Sequence, residues 1–456
     1  VVILLTCLSE LPFVPHDYQI QTAHKVLYEM GCRALIADEV GLGKTIEAGL
    51  IVKELMSTGR AQKILILTPA SLVQQWWEEL NNKFKMNFWV SRKGPWAWSG
   101  QFVISSIEKA KRDEHRELIM QNEYDLVIID EAHKLKNRKT SNWTMVSQLR
   151  TRGLVLLTAT PLHNKVEELY NLVSLLKPEL FRDYDSFLEF YQLNPKALIS
   201  ELKDKLQDVM IRNMTRELGV KNINRRISLI PVELSDLEKE IYRRIRLIPG
   251  SFLPLTLCKE FCSSLSALYD TLYKKGEFEL LPLLEECEIS PKLTALDAIL
   301  RAHKGKVLVF TEYIQTQHYI ARFLNDKNIK FLLYNGTLKR NQKEWVKSLF
   351  EQRDIPVMIC TDSGSQGLNF QYCDVIVNFD LPWNPMKVEQ RIGRIDRLGQ
   401  QAQNVYIYNF VMKDTLEEKI FSILGEKISL FKECIGELNN ILADNDEELY
   451  EMIGRL

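Results

Sequence analysis

The chain has 456 residues, enough for two or three domains, and its 46% hydrophobic and 26% charged residues are those of a packed globular core. Its 59 Lys+Arg balance 60 Asp+Glu, so bulk charge neither supports nor excludes nucleic acid, and any basic groove must be local. Eight cysteines stand without a C-x-x-C pair; Cys258 and Cys262 share a helix face but lack the nearby histidines of a metal site, and unpaired thiols fit a reducing cytoplasm.

The opening Val1-Val2-Ile3-Leu4-Leu5 has no basic leader and is too short to span a bilayer. Because the first residue is not Met, a longer parent chain stays open. A helix follows Pro15-His16-Asp17-Tyr18-Gln19, with apolar residues at Ile20, Ala23, Val26 and Leu27. Gln19 is either a solvated surface residue or a side chain able to bond both edges of an adenine. Next, the apolar run Ala34-Leu35-Ile36-Ala37 enters Asp38-Glu39-Val40-Gly41-Leu42-Gly43-Lys44-Thr45 and then a helical stretch. Strand, glycine-rich turn and helix make a phosphate loop: Gly41, Leu42 and Gly43 offer backbone N–H groups, Lys44 reaches terminal phosphates, and the Thr45 hydroxyl can ligate Mg²⁺. The strict pattern is missed at Asp38, where its first glycine belongs, so a plain strand-to-helix turn is the competing reading.

Lys63 to Thr68 predicts a buried parallel strand ending at Pro69-Ala70-Ser71, then a helix with Gln74, Gln75, Trp76 and Trp77. Ser71 can cap that helix or donate to a nucleic-acid phosphate. Phe102 to Ser106 is a similar strand end. Tyr124 to Ile129 runs into Asp130-Glu131-Ala132-His133, where Asp130 suits Mg²⁺ and Glu131 the attacking water. Leu154 to Leu157 ends at Thr158-Ala159-Thr160-Pro161, so strands and helices alternate as in a doubly wound parallel sheet.

From Lys177 to about 290 strand signals are few. Arg212, Arg216, Arg225, Arg226, Arg243, Arg244 and Arg246 read either as phosphate contacts on helical protrusions or as solvated helix faces. A second strand–helix alternation begins at Lys306 to Thr311, continuing through Lys330 to Tyr334, Val357 to Thr361 and Asp374 to Asp380. Asp362 to Asn369 is small and polar, suited to close backbone contact with a ligand. After Leu381-Pro382-Trp383-Asn384-Pro385 comes Gln390-Arg391-Ile392-Gly393-Arg394-Ile395-Asp396-Arg397, where Arg394 and Arg397 are spaced to share one helical face. Two such guanidiniums suit arginine fingers.

The motifs DEVGLGKT (38–45), LTPASLVQQW (67–76), DEAH (130–133), LTATPLHN (157–164), VLVFTEY (307–313), SGSQGLNFQ (363–371), DLPWNP (380–385) and QRIGRIDRLGQ (390–400), in this order, resemble those of Swi/Snf-type ATPases of helicase superfamily two. The wording looks most like the bacterial and archaeal branch, which includes an RNA-polymerase-associated recycling translocase. The resemblance implies an α/β fold of two RecA-like doubly wound lobes: residues 1–176 as lobe 1, 177–290 as helical protrusions and connector with the end of lobe 1, and 291–456 as lobe 2. It implies an ATP hydrolase that uses Mg²⁺ and tracks duplex DNA without parting the strands. A strand-separating helicase and a nucleotide-dependent scaffold or remodelling subunit are the alternatives. By motif, Gln19 meets adenine, Lys44, Thr45 and Gly367 serve the nucleotide, Asp130 the metal and Glu131 the water, and Arg394 and Arg397 are the fingers. Ser71, Gln75, Ser105, Thr160, Thr311, Ser365 and Trp383 would lie along the DNA. RNA polymerase or another complex is the implied protein partner, the cytoplasm (nucleoid-associated) the implied place, and no membrane is involved. Met210-Ile211-Arg212-Asn213-Met214-Thr215 departs from the family's arginine-rich end to lobe 1, which puts coupling through that patch in question.

Overall fold

The computed structural model describes residues 5–91, 98–162, 165–181, 183–193, 195–215, 218, 223–249, 253–287, 290–362, 369–397, 399–435 and 442. The chain forms two units, Val1–Lys221 with Phe431–Glu437, and Asn222–Leu430 with Leu438–Leu456.

Unit 1 is built on β1 (Arg33–Ile36), β2 (Ile64–Thr68), β3 (Trp89–Val90), β4 (Phe102–Ser106), β5 (Glu123–Asp130), β6 (Arg150–Leu157) and β7 (Met210–Ile211). They form a seven-stranded sheet in the order β3-β4-β2-β5-β6-β1-β7, with every described pairing parallel. Near-continuous apolar runs are what such a sheet needs, because side chains alternate to two covered faces. Ala34, Ile36, Ile64, Ile66, Leu126 and Ile128 enter one core, while Leu35, Leu65, Leu67, Val127 and Ile129 enter the other. Both faces are therefore helix-covered, and the strand ends at Ile36, Thr68, Asp130 and Leu157 carry the loops that the motifs occupy.

Unit 2 repeats the plan with β8 (Asn224–Val232), β9 (Val307–Thr311), β10 (Phe331–Tyr334), β11 (Val357–Thr361), β12 (Val375–Asn378) and β13 (Asn404–Met412), ordered β10-β11-β9-β12-β13-β8 and again parallel. Val307, Val309, Val357, Ile359, Val375 and Val377 form the core on one face.

The segment 177–290 does not stand apart. Its first part, through β7, belongs to unit 1, because Met210 and Ile211 pair with Leu35 and Ile36. Its remainder joins unit 2. There β8 runs beside β13 from Asn224↔Asn404 to Val232↔Met412. Arg225, Arg226 and Pro231 disguise this strand in the sequence, and the sheet accepts Pro231 because β8 is an edge. The helices Asp236–Leu247, Leu253–Ser263 and Leu265–Lys275 pack Ile241, Ile245, Leu257, Phe261 and Leu268 around Val232 and Met412. Arg243 and Arg244 are exposed and bond Glu240, as on a solvated helix face. Arg225 keeps only 9% of its side chain exposed, and Arg216 lies outside the described residues.

Candidate active site

β1 hands the chain to the loop 37–43, which ends at the helix Lys44–Ser57. Gly41 and Gly43 have φ of +93° and +88°, a region that strains any L side chain. A Cβ on Gly43 would also come 2.8 Å from Gln19 Nε2. The loop therefore turns onto the N-terminus of a 14-residue helix, where N–H groups and the helix dipole favour an anion. Thr45 lies in the first turn. Lys44 Nζ donates to the carbonyls of Asp38 (2.7 Å) and Glu39 (3.1 Å). Burial lowers the Lys44 ammonium, against the pull of Asp38, Glu47, Glu131 and Asp130. Beneath the loop, Glu47 is pushed well above the usual carboxylate range, by burial first and by Asp38 second.

Asp130, at the end of β5, is held on both oxygens. Oδ2 accepts from Trp76 Nε1 (2.7 Å) and Thr68 Oγ1 (3.3 Å), and Oδ1 from the Glu131 N–H (2.8 Å). Burial and the Glu131 charge push it up to about 6. Glu131 has φ 52° and ψ 48°, a left-handed conformation that costs a non-glycine residue on the order of 1–3 kcal/mol and gathers at functional sites. Its Oε2 lies 3.0 Å from His133 Nδ1. The two neighbouring carboxylates are thus fixed differently, one by donors and one by its strained backbone.

Gln19 is 4% exposed, and its amide is engaged: Oε1 accepts from the His16 N–H, and Nε2 donates to Leu42 O and Tyr18 Oη. It braces the loop, and bonding an adenine requires it to exchange those partners. The segment after β7 braces the loop from the other side. Arg212 Nη1 donates to Ala37 O (3.1 Å), and Asn213 N and Nδ2 donate to the two Asp38 oxygens (3.0 and 2.9 Å). Thr215 N and Oγ1 donate to Glu39 Oε2 (2.9 and 2.8 Å). The stretch Met210 to Thr215 is therefore a clamp on the loop 37–43. Sequence reasoning missed this clamp and the Trp76–Asp130 bond, because both join distant positions.

Oxygen donors suit Mg²⁺, which takes one or two carboxylates plus substrate phosphates. Asp130, so held, and the Thr45 hydroxyl fit that requirement. Among the described residues no group of three or more His, Cys, Asp or Glu would hold a metal alone.

In unit 2 the helix Pro385–Ile392 stops before the two arginines, so the single helical face expected from their spacing is not formed. Arg394 (8% exposed) and the half-buried Arg397 lie in the turns that follow, and Arg397 Nε donates to Gly393 O (2.6 Å). Arg391 is buried more deeply, at 2% exposed. It bonds Asp362 Oδ1 (2.8 Å), Asn378 Oδ1 (3.0 Å) and Asp380 O (2.8 Å) and lies 5.3 Å from the Phe310 ring centre. Gly367 and Ser365 lie outside the described residues.

Of the residues expected along DNA, Ser71 is exposed, and Gln75 and Trp383 are half-buried. Ser105, Thr160 and Thr311 are buried, and the Thr311 hydroxyl donates to Asp380 Oδ2. A direct phosphate contact from those three requires their surroundings to move.

The SNF2-related domain family matches residues 18–272, and the helicase conserved C-terminal domain matches residues 291–399. The Bacillus subtilis (strain 168) protein YqhH, described as an uncharacterized ATP-dependent helicase, is 43% identical over 455 residues, covering 94% of this chain and 81% of that protein. The chain belongs to the SNF2-related ATP-dependent helicases. It is an ATP hydrolase of that family, and both the loop 37–43 and the Asp130–Glu131 pair lie in unit 1. The RNA polymerase-associated protein RapA of Vibrio campbellii (strain ATCC BAA-1116) is 27% identical over 98% of this SNF2-related chain, which spans about half (52%) of RapA. The Sulfolobus solfataricus SWI2/SNF2 ATPase core, solved in complex with dsDNA, superposes with a TM-score of 0.46 at 22% identity, covering 97% of each chain. Among the described residues no helix is long and apolar enough to cross a membrane.

Proposed function

We propose that this SNF2-related chain is a double-stranded-DNA translocase that hydrolyses ATP to advance along the phosphate backbone without parting the strands. The observation that carries its motor chemistry is the Asp130–Glu131 pair, one carboxylate fixed by Trp76 and Thr68 and the other presented by a strained backbone. Glu131 would orient the attacking water. Thr45 and Asp130 would hold Mg²⁺, which would neutralise charge on the phosphates. Lys44 and the N–H groups of Gly41, Leu42 and Gly43 would grip the phosphates, with Gln19 toward the adenine and Gly367 near the nucleotide. Arg394 and Arg397 of unit 2 would meet developing charge on the transferred phosphoryl group when the lobes close. Ser71, Gln75 and Trp383 are the surface candidates for DNA, and Ser105, Thr160, Thr311 and Ser365 are the further candidates. Likeness to RapA favours RNA polymerase, or a complex of that kind, as the protein partner.

The test is ATP hydrolysis without nucleic acid and with single-stranded DNA, duplex DNA or RNA. Duplex should stimulate most, and its binding should be nearly sequence-independent and weaken steeply with salt. Hydrolysis indifferent to DNA would favour a scaffold subunit, and release of a free strand from a forked duplex would favour a strand-separating helicase.

A further inference from the structure

We propose that Arg225 is a positioning residue that sets the arginine turn of unit 2 for hydrolysis; this rests on Arg394 and Arg397 acting at the nucleotide. Arg225 stands on the edge strand β8, opposite Val405 of β13. Its side chain is only 9% exposed, which a guanidinium tolerates when paired. The pairing is double. Nη1 and Nη2 donate to Glu389 Oε2 and Oε1 at 2.8 and 2.9 Å, a fork-on-carboxylate geometry, and Nε donates to Asp396 Oδ2 at 2.6 Å. The two carboxylate side chains are 3% and 13% exposed.

The positions of those acids give the contact its meaning. Glu389 belongs to the helix Pro385–Ile392, and its carbonyl receives the Gly393 N–H that ends that helix (2.8 Å). Asp396 lies in the turn between Arg394 and Arg397. One planar guanidinium therefore ties the helix end and the turn to the same sheet strand. Beyond Gly393 the backbone offers short-range bonds, Arg394 N–H to Arg391 O, Asp396 N–H to Ile392 O and Arg397 N–H to Ile395 O. These shape the turn locally, whereas Arg225 fixes it against the sheet. It also engages the carboxylate of the residue that lies between the two arginines in sequence, and an unanchored Asp396 would be free to compete with a phosphoryl group for them. Lysine cannot replace this, because a point ammonium does not span two carboxylates with a planar fork.

The experiment compares the whole chain with Arg225→Lys, Asp396→Asn, Arg394→Ala, Arg397→Ala and the exposed control Arg243→Lys, reading single-turnover hydrolysis, ATP affinity and thermal midpoint. Arg225→Lys should slow single turnover by on the order of 10- to 10²-fold, the scale of a misplaced catalytic group, with ATP affinity changed less than about twofold. Arg243→Lys should do nothing. If Arg225→Lys fails to fold, Asp396→Asn keeps the Glu389 fork and should show a smaller loss of the same kind. Adding Arg225→Lys to Arg397→Ala should slow hydrolysis little further, since both act through one group. A folded Arg225→Lys chain at the wild-type rate, equal losses of rate and affinity, or fully multiplicative losses in the double variant would overturn the inference. The finger reading fails separately, if Arg394→Ala and Arg397→Ala both leave hydrolysis intact.

Discussion

Around Lys44 in unit 1, the carboxylates of Asp38, Glu47, Asp130 and Glu131 all press on one ammonium, while in unit 2 Arg391 and Arg225 each sit against carboxylates of their own. The protonation equilibria follow. Burial and like charge push Asp130 up to about 6 and Glu47 well above the usual carboxylate range. Burial also works to raise Asp362 in unit 2, but the Arg391 guanidinium beside it holds its carboxyl below the usual range. Unit 1 thus keeps an electrostatic mismatch that a Mg²⁺-bearing nucleotide would relieve, whereas Arg391 and Arg225 of unit 2 have matched carboxylates that hold a turn in place. Mismatched buried charge marks a site of chemistry, and matched charge marks its scaffold.

The harshest way to break that contrast is Lys44→Ala. It removes the Lys44 ammonium from the acidic cluster, so ATP affinity and turnover should both collapse, as read by nucleotide titration and steady-state hydrolysis. Retained affinity would mean that Lys44 does not balance the phosphates. Glu131→Gln should act more narrowly, slowing hydrolysis by at least ~10²-fold while ATP still binds. A wild-type rate in that variant would remove Glu131 from the chemistry.

The third test sharpens the comparison through stability. Asp130 holds its proton more tightly folded (about 6) than unfolded (3.8), so its stabilising contribution is present below the unfolded value and is lost as pH rises through about 6. Asp130→Asn, which cannot ionise but gives up one of the two accepting oxygens, should be less stable than wild type near pH 4 and should gain on it by on the order of 1–3 kcal/mol as pH rises to 8. Asp362→Asn should do the reverse at neutral pH, lowering stability because Arg391 is left under-paired. Thermal midpoints across pH check both, and equal signs of the change with pH for the two variants would erase the contrast.

Much of unit 1's site was legible because its signals are local. A glycine-rich turn between an apolar run and a helix, or two carboxylates at a strand's end, is written in consecutive residues. The contacts that tune the site were not. Trp76 reaches Asp130 across 54 positions, and Asn213 reaches Asp38 across 175, so neither has a spacing to read. Strand β8 was hidden because its edge position tolerates Pro231 and its arginines resemble a solvated helix face. The spacing of Arg394 and Arg397 suggested one helical face, but the helix ends at Ile392 and the backbone tightens into turns. Arg225, read as a phosphate contact or part of a solvated helix face, has a largely covered side chain because acids distant in sequence converge on it.

The central claim is that unit 1 binds the nucleotide and that unit 2 acts on it only in the transition state. Arg397→Ala and Arg397→Lys, each measured for single-turnover hydrolysis beside ATP affinity, test it most directly. A finger stabilises charge that develops during phosphoryl transfer, and a lysine does not reproduce its planar fork. Both variants should therefore lose roughly 10³-fold or more in hydrolysis while ATP affinity falls far less. Equal losses of rate and affinity would make Arg397 a ground-state binding residue, and no loss of either would contradict the claim outright.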